Sequence, residues 1–434
     1  MFDVLRSSWA LLLGMTLLMV GNGLQGSLLG VRAEEVGFST FEISIVMSAY
    51  FVGFLGGSRM APELIRRVGH VRVFAALASF ISAVLILYPA LPYLASWTLG
   101  RVVIGFCFSG VYVTAESWLN NSVTNDKRGQ ALSLYMIVQM LGIVAAQGLL
   151  NLPDASGFLL FVIPSVLVSI SFAPILLSIS PTPAFDTAKP MSLKEILTIS
   201  PLGCVGMFLL GGVFAAQFGM AAVFGQLAGL TLPEIAVFVS AIYVGALVLQ
   251  YPIGWMSDRM DRRVLIFGVS ILGGAAAVVG VLMSSSFEMI LIAGFIIGGT
   301  SNPLYSLLIA YTNDFLEHDD MAAASGGLIF INGLGAIVGP VLTGWIMGVI
   351  GPQGFFLYIA FLMVGLAIYA AYRMTQRAVT TTVDEMTSYT PISPAASPIA
   401  VEVAQEVYIE TALEDEALAE EEAEEEKSSG NTWL

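Results

Sequence analysis

Charge is scarce in this chain. Of its 434 residues only 11 % are Asp, Glu, Lys or Arg, against roughly 25 % in soluble domains, and 57 % are hydrophobic. Water is therefore not the main solvent of the fold. Histidine and cysteine occur twice each. Cys107 and Cys204 both sit in apolar runs without CxxC spacing or a neighbouring histidine, which argues against a disulfide or metal framework and for plain core packing. No Walker A loop is present, so ATP hydrolysis within the chain is not expected. The few His, Ser and carboxylate residues form no catalytic constellation, so no enzyme activity, cofactor or metal is expected. Basic clusters that could hold nucleic acid or acidic lipid are missing as well.

The formal net charge of -15 is a local property. Fourteen of the 32 acidic residues lie between Asp384 and Glu426, which leaves 18 acids against 16 bases in the first 379 residues. After Met374 the sequence turns from apolar to a Pro- and Ser-containing stretch and then to the nearly all-acidic run Glu414 to Glu426. Such a run is a solvated, self-repelling segment or a docking tail, and residues 376–434 are expected to be mostly disordered.

What the chain does have is long apolar runs. Twelve are long enough for a bilayer-spanning helix of about 20 residues: 9–31, 41–61, 73–94, 96–119, 129–150, 157–179, 201–224, 233–257, 264–284, 287–311, 322–349 and 354–374. The first is too long for a signal-peptide core and is read as a retained span. Arg66, Arg67, Arg72, Lys127, Arg128, Lys189, Lys194, Arg259, Arg262, Arg263, Arg373 and Arg377 all fall in alternate loops or the C-terminal flank, whereas the opposite loops hold only Arg32. The positive-inside rule then puts the basic loops and both termini in the cytoplasm.

The runs also repeat. At a spacing of 192, Glu42, Ile43, Ser48, Ala49, Val52, Gly53 and Leu55 recur as Glu234, Ile235, Ser240, Ala241, Val244, Gly245 and Leu247. At 193, Ile104, Gly105, Tyr112, Asn120, Asp126 and Gly142 recur as Ile297, Gly298, Tyr305, Asn313, Asp319 and Gly335. Six spans per copy is an even number, so the copies share one topology and are related by an axis along the membrane normal. The expectation is an all-α membrane protein with twelve transmembrane helices in two pseudo-symmetric six-helix bundles, 1–180 and 201–375, joined by a cytoplasmic linker, 181–200. Internal symmetry on this scale marks secondary transporters.

Between the eighth and ninth runs stands Gly254-Trp-Met-Ser-Asp258-Arg259-Met-Asp261-Arg262-Arg263. It resembles the G-x-x-x-D-R-x-G-R-R loop signature of the major facilitator superfamily, with Asp261 in place of the second glycine. The first copy, Arg66-Arg67-Val68-Gly69-His70, keeps Arg67 and Gly69 but has Arg66 where the acid belongs. The resemblance covers residues 1–375 and implies a cytoplasmic gate at Arg67, Gly69, Gly254, Asp258, Arg259, Arg262 and Arg263; topology alone would also explain the arginines. Gly335 to Gly344 looks like the G-x-x-x-G-P motif that the family's drug:proton antiporters carry in their fifth span. Here it lies in the eleventh, and the fifth, from Gln139 to Gly148, has no Gly-Pro. A bacterial branch other than those antiporters is indicated, and close helix packing explains the glycines equally well.

Polar residues present in one copy only need a separate reason. Arg101 and Glu116 face Gly294 and Ile309 in the 193-residue register. With Tyr112 they share one face of the fourth span, and an intramembrane charge is costly enough to mark a substrate or ion pathway. Arg101 could instead snorkel outward or satisfy backbone carbonyls, and Glu116 could pair with Lys127 or Arg128 at the surface. The two are separated by about 22 Å along a helix, so they would act as successive stations. The family's spans one, four, seven and ten line its central cavity, which implies that Asn22, Gln25, Gln217, Asn302 and Tyr305 surround a small-molecule solute; interhelical hydrogen bonds are the alternative. Gln139 and Asn332 are read as packing partners. The function implied is a monomeric secondary active transporter in the cytoplasmic (inner) membrane, moving a small organic solute by alternating access with protons as the coupling ion, with a facilitated uniporter as the uncoupled alternative. The alternative is a transporter-fold membrane sensor or assembly factor that signals through the acidic tail.

Overall fold

A computed structural model describes residues 2–122, 127–152, 158–177, 191–316 and 318–376, together with Tyr389 and a few residues between 391 and 404. Among the described residues there is no strand. The helices are α1 (Phe2–Val36), α2 (Thr40–Val68), α3 (His70–Ala90), α4 (Leu94–Ser122), α5 (Arg128–Leu149), α6 (Leu159–Ser171), α7 (Ala173–Leu177), α8 (Leu193–Ile199), α9 (Pro201–Leu227), α10 (Leu232–Ser257), α11 (Arg262–Leu282), α12 (Phe287–Asn313), α13 (His318–Ile350) and α14 (Gly354–Gln376). Among the described residues twelve spans are long and apolar enough to cross a membrane, with α6 and α7 together making the sixth.

The spans agree with the twelve apolar runs, but several helices outlast them. α2 continues seven residues past 61, to Val68, because hydropathy marks the bilayer core while the helix ends only where its backbone is stopped. That stop is Gly69, whose φ of 85° is open to glycine at little cost and whose N–H donates to Ile65 O at 2.7 Å.

The repeat has a physical basis at both helix ends and helix crossings. Glu42 and Glu234 close matched capping boxes: Glu42 Oε2 accepts from Ser39 N at 2.8 Å, and Glu234 Oε2 accepts from Thr231 N at 2.8 Å. Gly53 and Gly105 let α2 and α4 approach until a Cβ on either would meet the carbonyl oxygens of Val102 and Tyr50. Gly245 and Gly298 do the same for α10 and α12 against Phe295 and Ile242, the equivalent residues. Gly142 against Thr16 and Gly335 against Phe208 repeat the arrangement between α1 and α5 and between α9 and α13. Small residues at matched crossings are how apolar helices pack where lipid offers no hydrophobic drive.

Among the described residues the two bundles meet mainly along three seams. α2 lies on α13, where Ser48 Oγ donates to Ile337 O and the Arg59 guanidinium stands 4.2 Å over the Phe330 ring. α5 lies on α10 through Met136, Met140 and Ala246. α1 meets α9 at the end opposite the basic loops, with Gly30 against Ala222 and Val223 and Gln226 Nε2 donating to Glu34 Oε2 at 3.0 Å.

Candidate functional site

Between the bundles lies a cavity with about 1060 Å³ of unfilled space, open solvent included, lined by α1, α2, α4 and α5 from one side and α9, α10, α12 and α13 from the other. Of the residues singled out in the sequence, Asn22, Tyr112, Gln217 and Asn302 line it. Gln25 and Arg101 stand directly behind. Arg101 Nη1 donates to Gln25 Oε1 at 2.9 Å, Gln25 Nε2 to Asn22 Oδ1 at 3.2 Å, and Asn22 Nδ2 to Tyr112 OH at 3.1 Å. One hydrogen-bonded chain thus runs from the buried guanidinium to the cavity wall.

Arg101 is 0 % exposed. Its side chain points into the bundle rather than outward: Nη2 donates to Met47 Sδ at 3.4 Å, and the guanidinium lies 4.8 Å from the centre of the Tyr50 ring. Sulfur, an amide and a ring face stabilise a cation without neutralising it. Its apolar surroundings make each of these contacts stronger than it would be in water.

Across the cavity Gln217 Nε2 donates to Ser301 Oγ at 3.0 Å, and Asn302 Nδ2 donates to Gly298 O at 3.4 Å. Tyr305 is fully buried beside Phe214 and does not line the cavity. Glu116 also lies off it, one helical turn beyond Tyr112 towards the basic loops. Its Oε2 accepts from Ser397 N at 2.9 Å, a residue of the C-terminal segment.

Sequence reasoning passed over much of the wall. Tyr50, Phe51, Phe54, Phe214, Phe218 and Tyr243 supply its aromatic surface. Gln139 and Asn332, read as packing partners, line it too, although Asn332 also donates to Met207 O at 2.9 Å. A signal existed: Tyr50 and Tyr243 match at the spacing of 193, but the ungapped register of 192 in that stretch pairs Tyr50 with Ile242.

The loop motif makes its contacts mostly within one bundle. Arg262 is 0 % exposed; Nε donates to Ser257 Oγ at 3.1 Å, and Nη1 pairs with Asp314 and reaches Ala310 O at 3.4 Å. It ties the start of α11 to the C-terminal end of α12, where a cation is favoured. Arg263 pairs with Asp261 at 2.7 Å, and Arg259 stacks 4.4 Å over Trp255. Arg66 and Arg67 are exposed and both pair with Glu63, at 2.7 and 2.6 Å. Asp258 is the exception: its Oδ1 accepts from Tyr389 N at 2.7 Å, and burial raises its carboxyl above the usual range, against that hydrogen bond and the charges of Arg262 and Arg259. Gly254 leaves room for the Tyr389 ring, which a Cβ there would meet at 2.6 Å. Glu414 to Glu426 lie outside the described residues.

The Major Facilitator Superfamily matches residues 11–243 and again 202–403. Relatives named uncharacterized MFS-type transporter YcaD are 25 % identical: that of Salmonella paratyphi A (strain ATCC 9150 / SARB42) over 355 residues, covering 80 % of this chain and 90 % of its own, and that of Salmonella heidelberg (strain SL476) over 350 residues, 79 % and 89 %. Among solved structures, the nucleoside transporter NupG superposes with a TM-score of 0.69 at 13 % identity, covering 87 % of this chain and 100 % of its own. A bacterial homolog of the human lysosomal transporter Spinster gives 0.68 at 15 %, covering 87 % and 97 %, and the E. coli fucose:proton symporter FucP 0.54 at 15 %, covering 84 % and 98 %. This chain belongs to the Major Facilitator Superfamily and is a multi-pass membrane transporter for small-molecule solutes, not an enzyme.

Proposed function

We propose that the protein is a secondary active transporter of the cytoplasmic membrane that carries a small organic solute by alternating access and couples its movement to protons. The basic loops mark the inner side, so both termini are cytoplasmic. Residues 1–180 and 201–375 rock as units about the linker 181–200, and the molecule works as a monomer. The amides of Asn22, Gln139, Gln217, Asn302 and Asn332, set among tyrosine and phenylalanine faces, suit a solute with a flat or apolar body and several hydrogen-bonding groups.

The observation that carries this reading is the chain from Arg101 through Gln25 and Asn22 to Tyr112. A buried cation joined to the cavity by polar groups that both donate and accept can sense the solute and shift with it. Glu116, farther along the same helix, is the carboxylate that exchanges the proton with the cytoplasm.

Solutes that stabilise the purified protein against heat should be taken through pH-gradient flux in proteoliposomes. Arg101→Gln should abolish flux while insertion and size-exclusion behaviour stay unchanged, and Glu116→Gln should remove the dependence on the pH gradient. Full flux in Arg101→Gln would sink the assignment. The contacts of Tyr389 and Ser397 with the bundles keep a sensing role for the tail as a second reading; removal of residues 380–434 separates the two, since a transporter retains flux without the tail and a sensor has none to lose.

A further inference from the structure

The C-terminal segment is threaded between the two bundles at the end of the basic loops. Its described residues are not surface-like: Ile392, Ser397, Ala400, Val401, Val403 and Ala404 are all at most 7 % exposed, and Val401 is 0 %.

Backbone hydrogen bonds fix the segment to both bundles. Tyr389 N donates to Asp258 and Tyr389 OH accepts from Gln250 Nε2 at 2.7 Å, both on α10 or at its end. Ile392 N donates to Ser306 Oγ on α12 at 2.9 Å, and Ser306 Oγ returns a bond to Ile392 O at 3.3 Å. Ser397 N donates to Glu116 Oε2 on α4 at 2.9 Å. The first four belong to the second bundle and the last to the first. The segment therefore bridges the gap that must stay open for a solute to leave on this side.

We propose that the described residues of the C-terminal segment, Tyr389, Ile392, Ser397 and Val401 among them, form a tethered plug that closes the cytoplasmic mouth of the central cavity and must be withdrawn before a solute can pass. The orientation rests on the transport reading above. Seating costs little entropy, because the plug is covalently attached and its local concentration is high. Docking uses groups that transport itself needs: Glu116 accepts a tail N–H in place of a proton or a solute, and Gly254 and Asp258 of the loop motif receive Tyr389. The eleven acidic residues from Glu406 to Glu426 follow directly in sequence, which gives a cytoplasmic factor or a change in ionic strength a handle for pulling the plug out.

The test is accessibility, so it needs no known solute. In a chain carrying Cys107→Ser and Cys204→Ser, a reporter cysteine at Ser306→Cys is exposed to a membrane-impermeant maleimide in inside-out vesicles. With the full tail, labelling should be slow. Ile392→Pro removes the N–H that bonds residue 306, and Val401→Asp puts a charge at a buried position; together they should speed labelling by up to about tenfold, since accessibility follows the open fraction and a plug seated some 90 % of the time leaves that room. Equal labelling with and without the two substitutions overturns the proposal. A disulfide between Ile392→Cys and Ser306→Cys in the otherwise native tail guards against misfolding of the variants, and its failure to form under oxidation also counts against the plug. Failure of the transport reading looks different: labelling still changes with the tail, while no solute moves in either form.

Discussion

At one and the same register α4 carries Arg101 and Glu116 and α12 carries Gly294 and Ile309. At the basic end the asymmetry reverses: the second bundle buries an ion pair, Arg262 with Asp314, where the first has Arg66 and Arg67 exposed on Glu63. The helix crossings and caps, by contrast, are duplicated nearly residue for residue. Scaffold, the capping glutamates included, is shared between the copies, and buried charge is not. The frame is symmetric, while buried charge stands inside the first half at Arg101 and Glu116 and at the rim of the second at Arg262 and Asp314.

The sharpest way to break this comparison is at the rim. Arg262→Ala takes the guanidinium out of a buried ion pair with Asp314, a kind of change that costs about 3–5 kcal/mol, whereas Arg67→Ala removes an exposed pair with Glu63 that is worth little. Thermal unfolding of the two variants in the same detergent should therefore separate widely. Similar melting temperatures would mean that the two loops are not as different as their burial implies.

The crossings should behave in the opposite way. Gly105→Ala and Gly298→Ala each place a Cβ against a backbone carbonyl that cannot rotate aside, so α2 and α4, or α10 and α12, must separate. Overpacking of this kind costs about 1–3 kcal/mol. The expectation is two losses of similar size in a fluorescence-based stability assay. A large loss in one half with none in the other would show that the pseudo-symmetry of the crossings does not extend to their energetics.

Much of this frame was legible in the sequence, because it rests on short-range rules. Apolar length announces a span, and the recurrence of Glu42 as Glu234 and of Gly105 as Gly298 reflects caps and crossings that each half needs for itself. Arg101 stood out because charge inside an apolar run is rare, and the structure joins it to Gln25 and Asn22, two of the amides singled out with it. The aromatic wall was not legible: Tyr50 or Phe218 in an apolar helix looks like any core residue until the helix is given a rotation and a neighbour. Nor was the seating of Tyr389 to Ala404. Most of its bonds are made by backbone groups, which every residue has, and its buried side chains are small and scattered among prolines and serines. Length and charge described that region as tail, and only tertiary contact shows Val401 or Ser397 inside.

The smallest expected effect concerns the position where the loop motif departs from its usual glycine. Asp261 caps α11, its carboxylate accepting from Arg263 N at 2.9 Å, while the equivalent turn before α3 is closed by Gly69 with no side-chain bond. Burial pushes the Asp261 carboxyl up, but the hydrogen bonds and charge of Arg263 outweigh it and hold it below the usual aspartate range. A depressed carboxyl contributes stability that is fully present above the unfolded-state value near pH 4 and is lost as pH falls through the folded-state value. The group is partly exposed, so screening keeps the effect within about 1 kcal/mol. Asp261→Asn should flatten the acid limb of the stability profile slightly, and Asp261→Gly should do so while also removing the cap, since glycine there gives α11 the bare start that α3 already has. An acid limb unchanged by Asp261→Asn would mean that the Arg263 pair does not favour the ionised carboxylate, and that the second bundle gains from this departure only a capping oxygen.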